Sequence, residues 1–334
     1  MNRQYAVPCT SYGGLLTLTS FPMKFPPELL QKCIFLTGPT ASGKSRLGIE
    51  LANQLQGEVI SLDSMAVYRG MDIGTAKPSK DELSQAPHHL IDVVDPHQDF
   101  TVAEYLQLSH TACLEILARD HVPIFVGGTG LYLRALLRGF FAGPDADWEF
   151  RHKLEAEEKE SGPEELHRRL QLIDPASAKR LHVNDVRRVI RALEIHHLTG
   201  QPASELYDEG PLPEEQRPKN VFWLNPDRDW LYDRINRRVN IMIEQGLETE
   251  LRKLLALESP IGRTARQGLG YREMIDWIEG RTSTLEEAIE IIQTRSRQFA
   301  KRQYTWFRNM EECQSLIYQS DAEQSKLLSD LLER

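Results

Sequence analysis

The octapeptide GPTASGKS, Gly38 to Ser45, restricts what this chain can fold into more than any other feature of it. Gly38, Gly43, Lys44 and Ser45 fit the spacing G-x-x-x-x-G-K-[ST], and the pattern lies between an apolar run, Cys33 to Thr37, and a stretch with helical spacing, GKSRLGIELANQL. Strand, glycine-rich loop and helix in that order form a phosphate cradle. The backbone from Gly38 through Pro39, Thr40, Ala41, Ser42 and Gly43 curls so that its free N–H groups and the helix N-terminus face one anion. Lys44 adds a point charge, and the Ser45 hydroxyl is the group that completes a Mg²⁺ shell. A chance glycine-rich turn has no reason to be flanked in this way.

Three further apolar runs follow. Val59 to Leu62 ends at Asp63, HHLIDVVD precedes Thr101, and Ile124 to Val126 ends in GGTG. Thr101 and Glu104 make a capping box that opens a helix reaching about Ala118. Strands alternating with helices predict an α/β fold, a P-loop doubly wound parallel sheet with ligands at the carboxyl ends of its strands. Gly38, Asp63 and Gly127 all follow such ends.

Beyond Gly143 the texture becomes charged and helical: Trp148 to Glu160, a segment after Ser161 with Glu164 as a second capping box, and NDVRRVIRALEIHHLTG ending at Gly200. A loop with prolines at 202, 211, 213 and 218 leads to NVFWLN, which reads as a strand rejoining the core. Long helices follow, one over DWLYDRINRRVNIMIEQG and one capped by Thr284 with Glu287. The expected organisation is a loose extension over 1–28, a catalytic core over 29–143 plus 219–312, an all-helical insertion over 144–218, and a tail over 313–334. Organised sequence begins only near Leu29, so Met1 and Met23 both stand as starts.

Four scattered cysteines without a C-x-x-C pair argue against zinc or a disulfide framework and for a reducing, cytoplasmic setting. No run of about 18 to 20 apolar residues is present to cross a bilayer. A net charge of −9 argues against a nucleic-acid partner until its distribution is considered. Acid is concentrated in Asp145 to Glu165, whereas TRSRQFAKRQYTWFR, Thr294 to Arg308, carries Arg295, Arg297, Lys301, Arg302 and Arg308 without one acid. Its aromatics fit a core-facing stripe; its cations fit a phosphate-backbone contact.

Other residues admit two readings each. Asp63 either holds Mg²⁺ through water or takes a proton from an acceptor, or it starts an Asx turn. His88 and His89 form either a hydrogen-bonded pair or, given a third ligand, part of a metal site. Arg234 and Arg238 lie four apart on one helical face, either solvated or clamping a diphosphate.

Taken in order, GPTASGKS, ISLDSMAVYRGMDIGTAKP, HHLIDV, VGGTGLYLRALL, NDVRRVIRALE, RQGLGYRE and QFAKRQYTWFR resemble the tRNA dimethylallyltransferases, also called tRNA isopentenyltransferases. The resemblance runs from about Cys33 to Arg308. It implies transfer of a dimethylallyl group from dimethylallyl diphosphate to N6 of the adenosine 3′-adjacent to the anticodon, with Mg²⁺ as cofactor and the tRNA anticodon stem-loop as partner. Asp63 would orient N6 and accept its proton, with Thr129 a second contact near the base. Gly38 to Ser45 and Arg238 would hold the diphosphate. Asp63, Ser64, Met65, Ala66, Thr129, Arg151 and the run Arg187, Arg188, Val189, Ile190 and Arg191 would contact tRNA. Ala66 stands where many members carry glutamine, and Ser45 replaces the commoner threonine. The absence of an appended zinc finger points to a bacterial or organellar type, expected as a monomer.

Two enzyme classes compete with that reading: a P-loop kinase, in which Asp63 serves Mg²⁺ or an acceptor hydroxyl, and an isopentenyltransferase of free adenine nucleotides. A third alternative is a nucleotide-gated RNA-binding module, which the lack of D-x-x-G and N-K-x-D signatures disfavours.

Overall fold

Six strands build the core: β1 (Ile34–Thr37), β2 (Gly57–Leu62), β3 (His88–His89), β4 (Val122–Gly127), β5 (Val221–Pro226) and β6 (Gln314–Tyr318). In the computed structural model, which describes residues 24–141, 143–206 and 210–333, they form one sheet ordered β3-β2-β4-β1-β5-β6. Every pairing is parallel. Met23, Cys9 and most of the expected N-terminal extension lie outside the described residues.

The inner strands are buried on both faces, which is why they read as continuous apolar runs instead of alternating ones. Phe35, Ile60 and Phe125 face a cluster completed by Tyr105 and Ile116 of helix Val102–Leu117 and Leu133 of helix Gly130–Arg138. One residue to either side, Leu36, Val59, Ile124 and Val126 face Leu47 and Leu51 of helix Lys44–Leu55 and Leu327 of helix Asp321–Leu332. The period of two thus sends alternate residues into two cores. Fully burying each Leu or Phe contributes roughly 1.5–3 kcal/mol.

Register decides where the strands stop. Thr37 and Leu62 both pair with Gly127, so β1, β2 and β4 end level with one another. Gly38, Asp63 and Gly128 therefore leave the sheet along one edge.

The helix after Thr101 forms with both halves of its capping box, and the helix ending at Gly200 closes on that glycine in the left-handed conformation. Three expectations need correction. HHLIDVVD yields only the two-residue β3, because Leu90 (φ 61°) and Asp92 (φ 55°) turn the chain out of the sheet. Glu164 makes no capping box: Ser161 ends the preceding helix, and Pro163–Ile173 starts on Gly162 with Pro163 in its first turn. The expected tail over 313–334 is part of the core, since it supplies β6 and helix Asp321–Leu332.

Helices Trp148–Ser161, Pro163–Ile173, Pro175–Arg180 and Val186–Thr199 pack around their own cluster, centred on Leu154, Leu166, Leu170, Val189 and Ile195. Among the described residues no helix is long and apolar enough to cross a membrane.

Candidate active site

The glycine-rich loop emerges from β1 and ends at Gly43, whose φ of 83° and position just before helix Lys44–Leu55 both favour glycine. A Cβ there would lie 2.1 Å from Nε2 of Gln324. Ala41 is left-handed as well (φ 62°), strain that persists because neighbours fix the loop. Arg234 donates from Nε to Ala41 O at 3.0 Å and pairs with Asp321 at 2.9 Å. Gln324 Nε2 donates to Ser42 O at 2.7 Å, and the Tyr318 hydroxyl donates to the same carbonyl. The chain's last strand and helix hold the loop's shape from behind.

Lys44 Nζ donates to Pro39 O at 2.7 Å. Burial and the nearby Arg238 pull this ammonium down to about 7, against an opposing attraction from Asp63. Arg238 is itself drawn below the ordinary guanidinium range by burial, with Asp63 resisting and Arg234 assisting. Among the described residues neither cation forms an ion pair, and Asp63 is the acidic group that attracts both.

Opposite them, Asp63 follows β2. Its Oδ1 accepts the N–H of Met65 at 2.8 Å and of Ala66 at 3.3 Å, so the Asx turn does form. That bond occupies one oxygen. Among the described residues Oδ2 carries no hydrogen bond, and Asp63 lines the cavity. Thr129, on the loop after β4, accepts the N–H of Ser64 at 3.0 Å. Thr40, Lys44, Ser45, Asp63, Thr129 and Arg238 all border one cavity of about 710 Å³, a size that holds two small reacting groups together.

Ser45 is exposed toward that cavity in the first turn of its helix. With Asp63 it offers hydroxyl and carboxylate oxygen only, a donor set that suits Mg²⁺, which keeps several waters and takes few protein ligands. His88 and His89 are hydrogen-bonded apart, His88 Nδ1 to Ala86 O at 2.8 Å and His89 Nε2 to Glu58 at 2.7 Å. Among the described residues no cluster of three or more His, Cys, Asp or Glu is placed to bind a metal.

A further wall was not visible in the sequence. Glu250 accepts the N–H groups of Asp72 and Ile73 at 2.9 and 2.8 Å and the Tyr271 hydroxyl at 2.6 Å. Burial and Glu250 push the Tyr271 phenol well above its usual range, so it remains a donor. Lys77 closes the same loop on Asp72 at 2.7 Å and on Asp92. A long-range pairing of this kind leaves no local signal.

The expected RNA contacts divide. Arg187 and Arg188 are exposed, Arg188 pairing with Asp185 at 3.2 Å. Val189 and Ile190 correct the expectation: at 1% and 4% exposure their side chains belong to the core of the helical unit. Arg151 and Arg191 converge on Glu194, whose side chain is fully buried, so their guanidinium groups are already engaged. Burial alone would raise the Glu194 carboxyl, but bonds from both arginines hold it below its ordinary range. Ala66 is also buried, its N–H spent on Asp63. On helix Leu285–Arg308, Tyr304 and Phe307 face the core, Arg295 pairs with Glu273, and Lys301, Arg302 and Arg308 are exposed.

Comparison with known proteins points the same way. A sequence model of the family described as IPP transferase matches residues 66–310. The tRNA dimethylallyltransferase of Pelotomaculum thermopropionicum is 46% identical over 293 residues, covering 87% of this chain and 92% of that protein. That of Acetivibrio thermocellus is 44% identical over 286 residues, covering 84% and 90%. Among solved structures, the tRNA isopentenylpyrophosphate transferase of Bacillus halodurans superposes with a TM-score of 0.65 at 42% identity, covering 91% of this chain and 96% of that one. A eukaryotic dimethylallyltransferase acting on tRNA superposes at 0.73 with 29% identity, covering 90% and 77%. With its glycine-rich loop, aligned strand ends and helical unit in place, the chain belongs to the IPP transferase family, the tRNA dimethylallyltransferases.

Proposed function

We propose that the protein transfers a dimethylallyl group from dimethylallyl diphosphate to N6 of the adenosine on the 3′ side of a tRNA anticodon, position 37, releasing diphosphate. One observation carries the reading: the phosphate loop with Lys44 and Arg238 faces the anchored carboxylate of Asp63 across a single cavity. A hydrolase or kinase needs a water or hydroxyl path there. An alkyl transfer needs room for a purine edge and a short prenyl chain, and Val126, Ile235, Val239 and Met242 line the same space with apolar surface.

The bond that forms joins N6 to C1 of the prenyl group, and the bond that breaks joins C1 to the diphosphate oxygen. Adenine's amino group is a weak nucleophile because its lone pair is delocalised into the ring. Asp63 offsets this by holding one oxygen on its own turn and presenting the other to an N6 proton, which it accepts as the new bond forms. Lys44, the loop N–H groups and Arg238 stabilise the charge arriving on the leaving diphosphate. Ser45 would hold Mg²⁺, which supplies further neutralisation of that diphosphate when bound. Thr129 keeps the Asp63 turn pressed toward the cavity through Ser64.

The acceptor base must leave its stack to reach this depth, as base-modifying enzymes require. Arg187, Arg188, Lys301, Arg302 and Arg308 are exposed cations suited to the RNA backbone of an anticodon stem-loop. The setting is the cytoplasm, where tRNA is found. Mass spectrometry of anticodon-loop nucleosides, after incubating enzyme, dimethylallyl diphosphate, Mg²⁺ and unmodified tRNA, tests donor, acceptor and position together. Appearance of N6-isopentenyladenosine supports the reading. An unmodified amino group, with ATP split on some other acceptor, overturns it.

A further inference from the structure

One buried amide spans the two halves of the site. Gln303, 6% exposed on helix Leu285–Arg308, accepts the Thr40 N–H through Oε1 at 2.9 Å and donates from Nε2 to Gly128 O at 2.8 Å. These two bonds fix which end of the amide is which. Along the helix, Gln303 sits in a buried stripe with Ser296, Ala300, Tyr304 and Phe307, where an apolar residue would fill the space without needing partners. Burying a primary amide costs free energy unless both ends are satisfied, so its presence here points to a task other than packing.

The partners define that task. Thr40 belongs to the loop that faces the diphosphate. Gly128 precedes Thr129, which holds Ser64 and hence the Asp63 turn. An amide that accepts at one end becomes a better donor at the other, so a change in the loop's N–H groups alters the grip on Gly128. We propose that Gln303 is a positioning residue that couples the donor half of the site to the acceptor half, so that bound diphosphate tightens the seat of the RNA and bound RNA tightens the diphosphate equally. The inference rests on the alkyl-transfer reading for its purpose, but its test does not depend on turnover.

Binding of inorganic diphosphate with Mg²⁺, and of an anticodon stem-loop RNA, is measured on the full chain for each ligand alone and for both together. In the unsubstituted protein, diphosphate tightens RNA binding by about fivefold or more. In Gln303→Leu each ligand alone binds within about threefold of normal, the mutual enhancement falls to about one, and single-turnover transfer slows by about 10- to 100-fold. Gly128→Ala attacks the same bridge from the other end, because its Cβ would lie 2.4 Å from Gln303 Nε2. In a Gln303→Ala background the nearest remaining neighbour of that methyl is Gly38 O at 3.1 Å, a smaller misfit, so Gly128→Ala adds less loss there than in the unsubstituted protein.

Absence of mutual enhancement in the unsubstituted protein overturns the proposal. So does a folded Gln303→Leu protein with normal enhancement, or one that has lost diphosphate binding by itself, which would make Gln303 only part of the cradle. If Gln303→Leu does not fold, Gly128→Ala decides alone: enhancement lost supports the coupling, enhancement kept refutes it. Failure of the unsubstituted enzyme to prenylate RNA counts against the proposed function, while the binding data still decide the role of Gln303.

Discussion

Thr129 Oγ1 accepts the backbone N–H of Ser64 at 3.0 Å, joining the chain that leaves β4 to the chain that leaves β2. The bond stands beside Asp63 and sets the direction in which its carboxylate is offered. Thr129→Val leaves that partly buried N–H unpaired, at a cost of about 1–3 kcal/mol. Single-turnover transfer is expected to fall about 10- to 100-fold in Thr129→Val and to recover largely in Thr129→Ser. Normal transfer in Thr129→Val with loss in Thr129→Ser would show that the methyl group, not the hydroxyl, matters.

On the proposed mechanism Asp63 carries two duties, which one pair of substitutions separates. Asp63→Asn keeps an oxygen for the Met65 and Ala66 N–H groups but removes the proton acceptor; Asp63→Ala removes both. Both variants are expected to bind tRNA within a few-fold of normal and to lose about 10²- to 10⁴-fold in turnover, with only Asp63→Ala disordering the turn. Hydrogen exchange at Met65 reads the turn, and quenched-flow transfer assays read the chemistry.

On the proposed function, Lys44 would link donor binding to pH. Its ammonium, pulled down to about 7, has lost its proton in most molecules at pH 8.5 and keeps it at pH 6. A diphosphate beside it favours the charged form, so donor binding takes up close to one proton at pH 8.5 and almost none at pH 6 from this group. Calorimetry in buffers of different ionisation enthalpy measures that uptake. Lys44→Ala is expected to abolish it and to weaken the diphosphate.

Glu58 sets an acid limit on the fold. Burial alone would raise its carboxyl, but Arg119, His89 and His121 bond to it and bring it down to about 2. A depressed carboxylate stabilises the folded state fully above its ordinary titration range and loses that contribution as pH falls toward 2. The window therefore runs from about 4.5 to about 2 and is worth about 2–3 kcal/mol. Glu58→Gln should lower the melting temperature at pH 7 and flatten its dependence on pH across that window.

The sequence carried the parts of this design that are written locally. The loop Gly38–Ser45, the strand ends at Asp63 and Gly127, the Thr101 capping box and the Gly200 helix end each depend on neighbours a few residues away. What it hid depends on distant partners. Glu250 cradling Asp72 and Ile73, or Gln324 reaching Ser42, cannot be read from spacing. Gln303 did leave a trace, as the one amide on a stripe of buried residues along a helix whose cations drew attention instead. Val189 and Ile190 show the opposite case, apolar residues that anchor the helix from within a basic run resembling an RNA contact.

The hydrogen bond from Gln324 to Ser42 spans 282 positions of chain. β1, near the start of the fold, gains its flanking strand β5 only when residues 221–226 exist, and its loop is braced only when Tyr318 and Gln324 exist. On the ribosome, where N-terminal segments emerge first, the glycine-rich loop is among the earliest pieces synthesised and among the last to become rigid. A nascent chain halted before β6 would carry the whole glycine-rich signature and still grip pyrophosphate poorly.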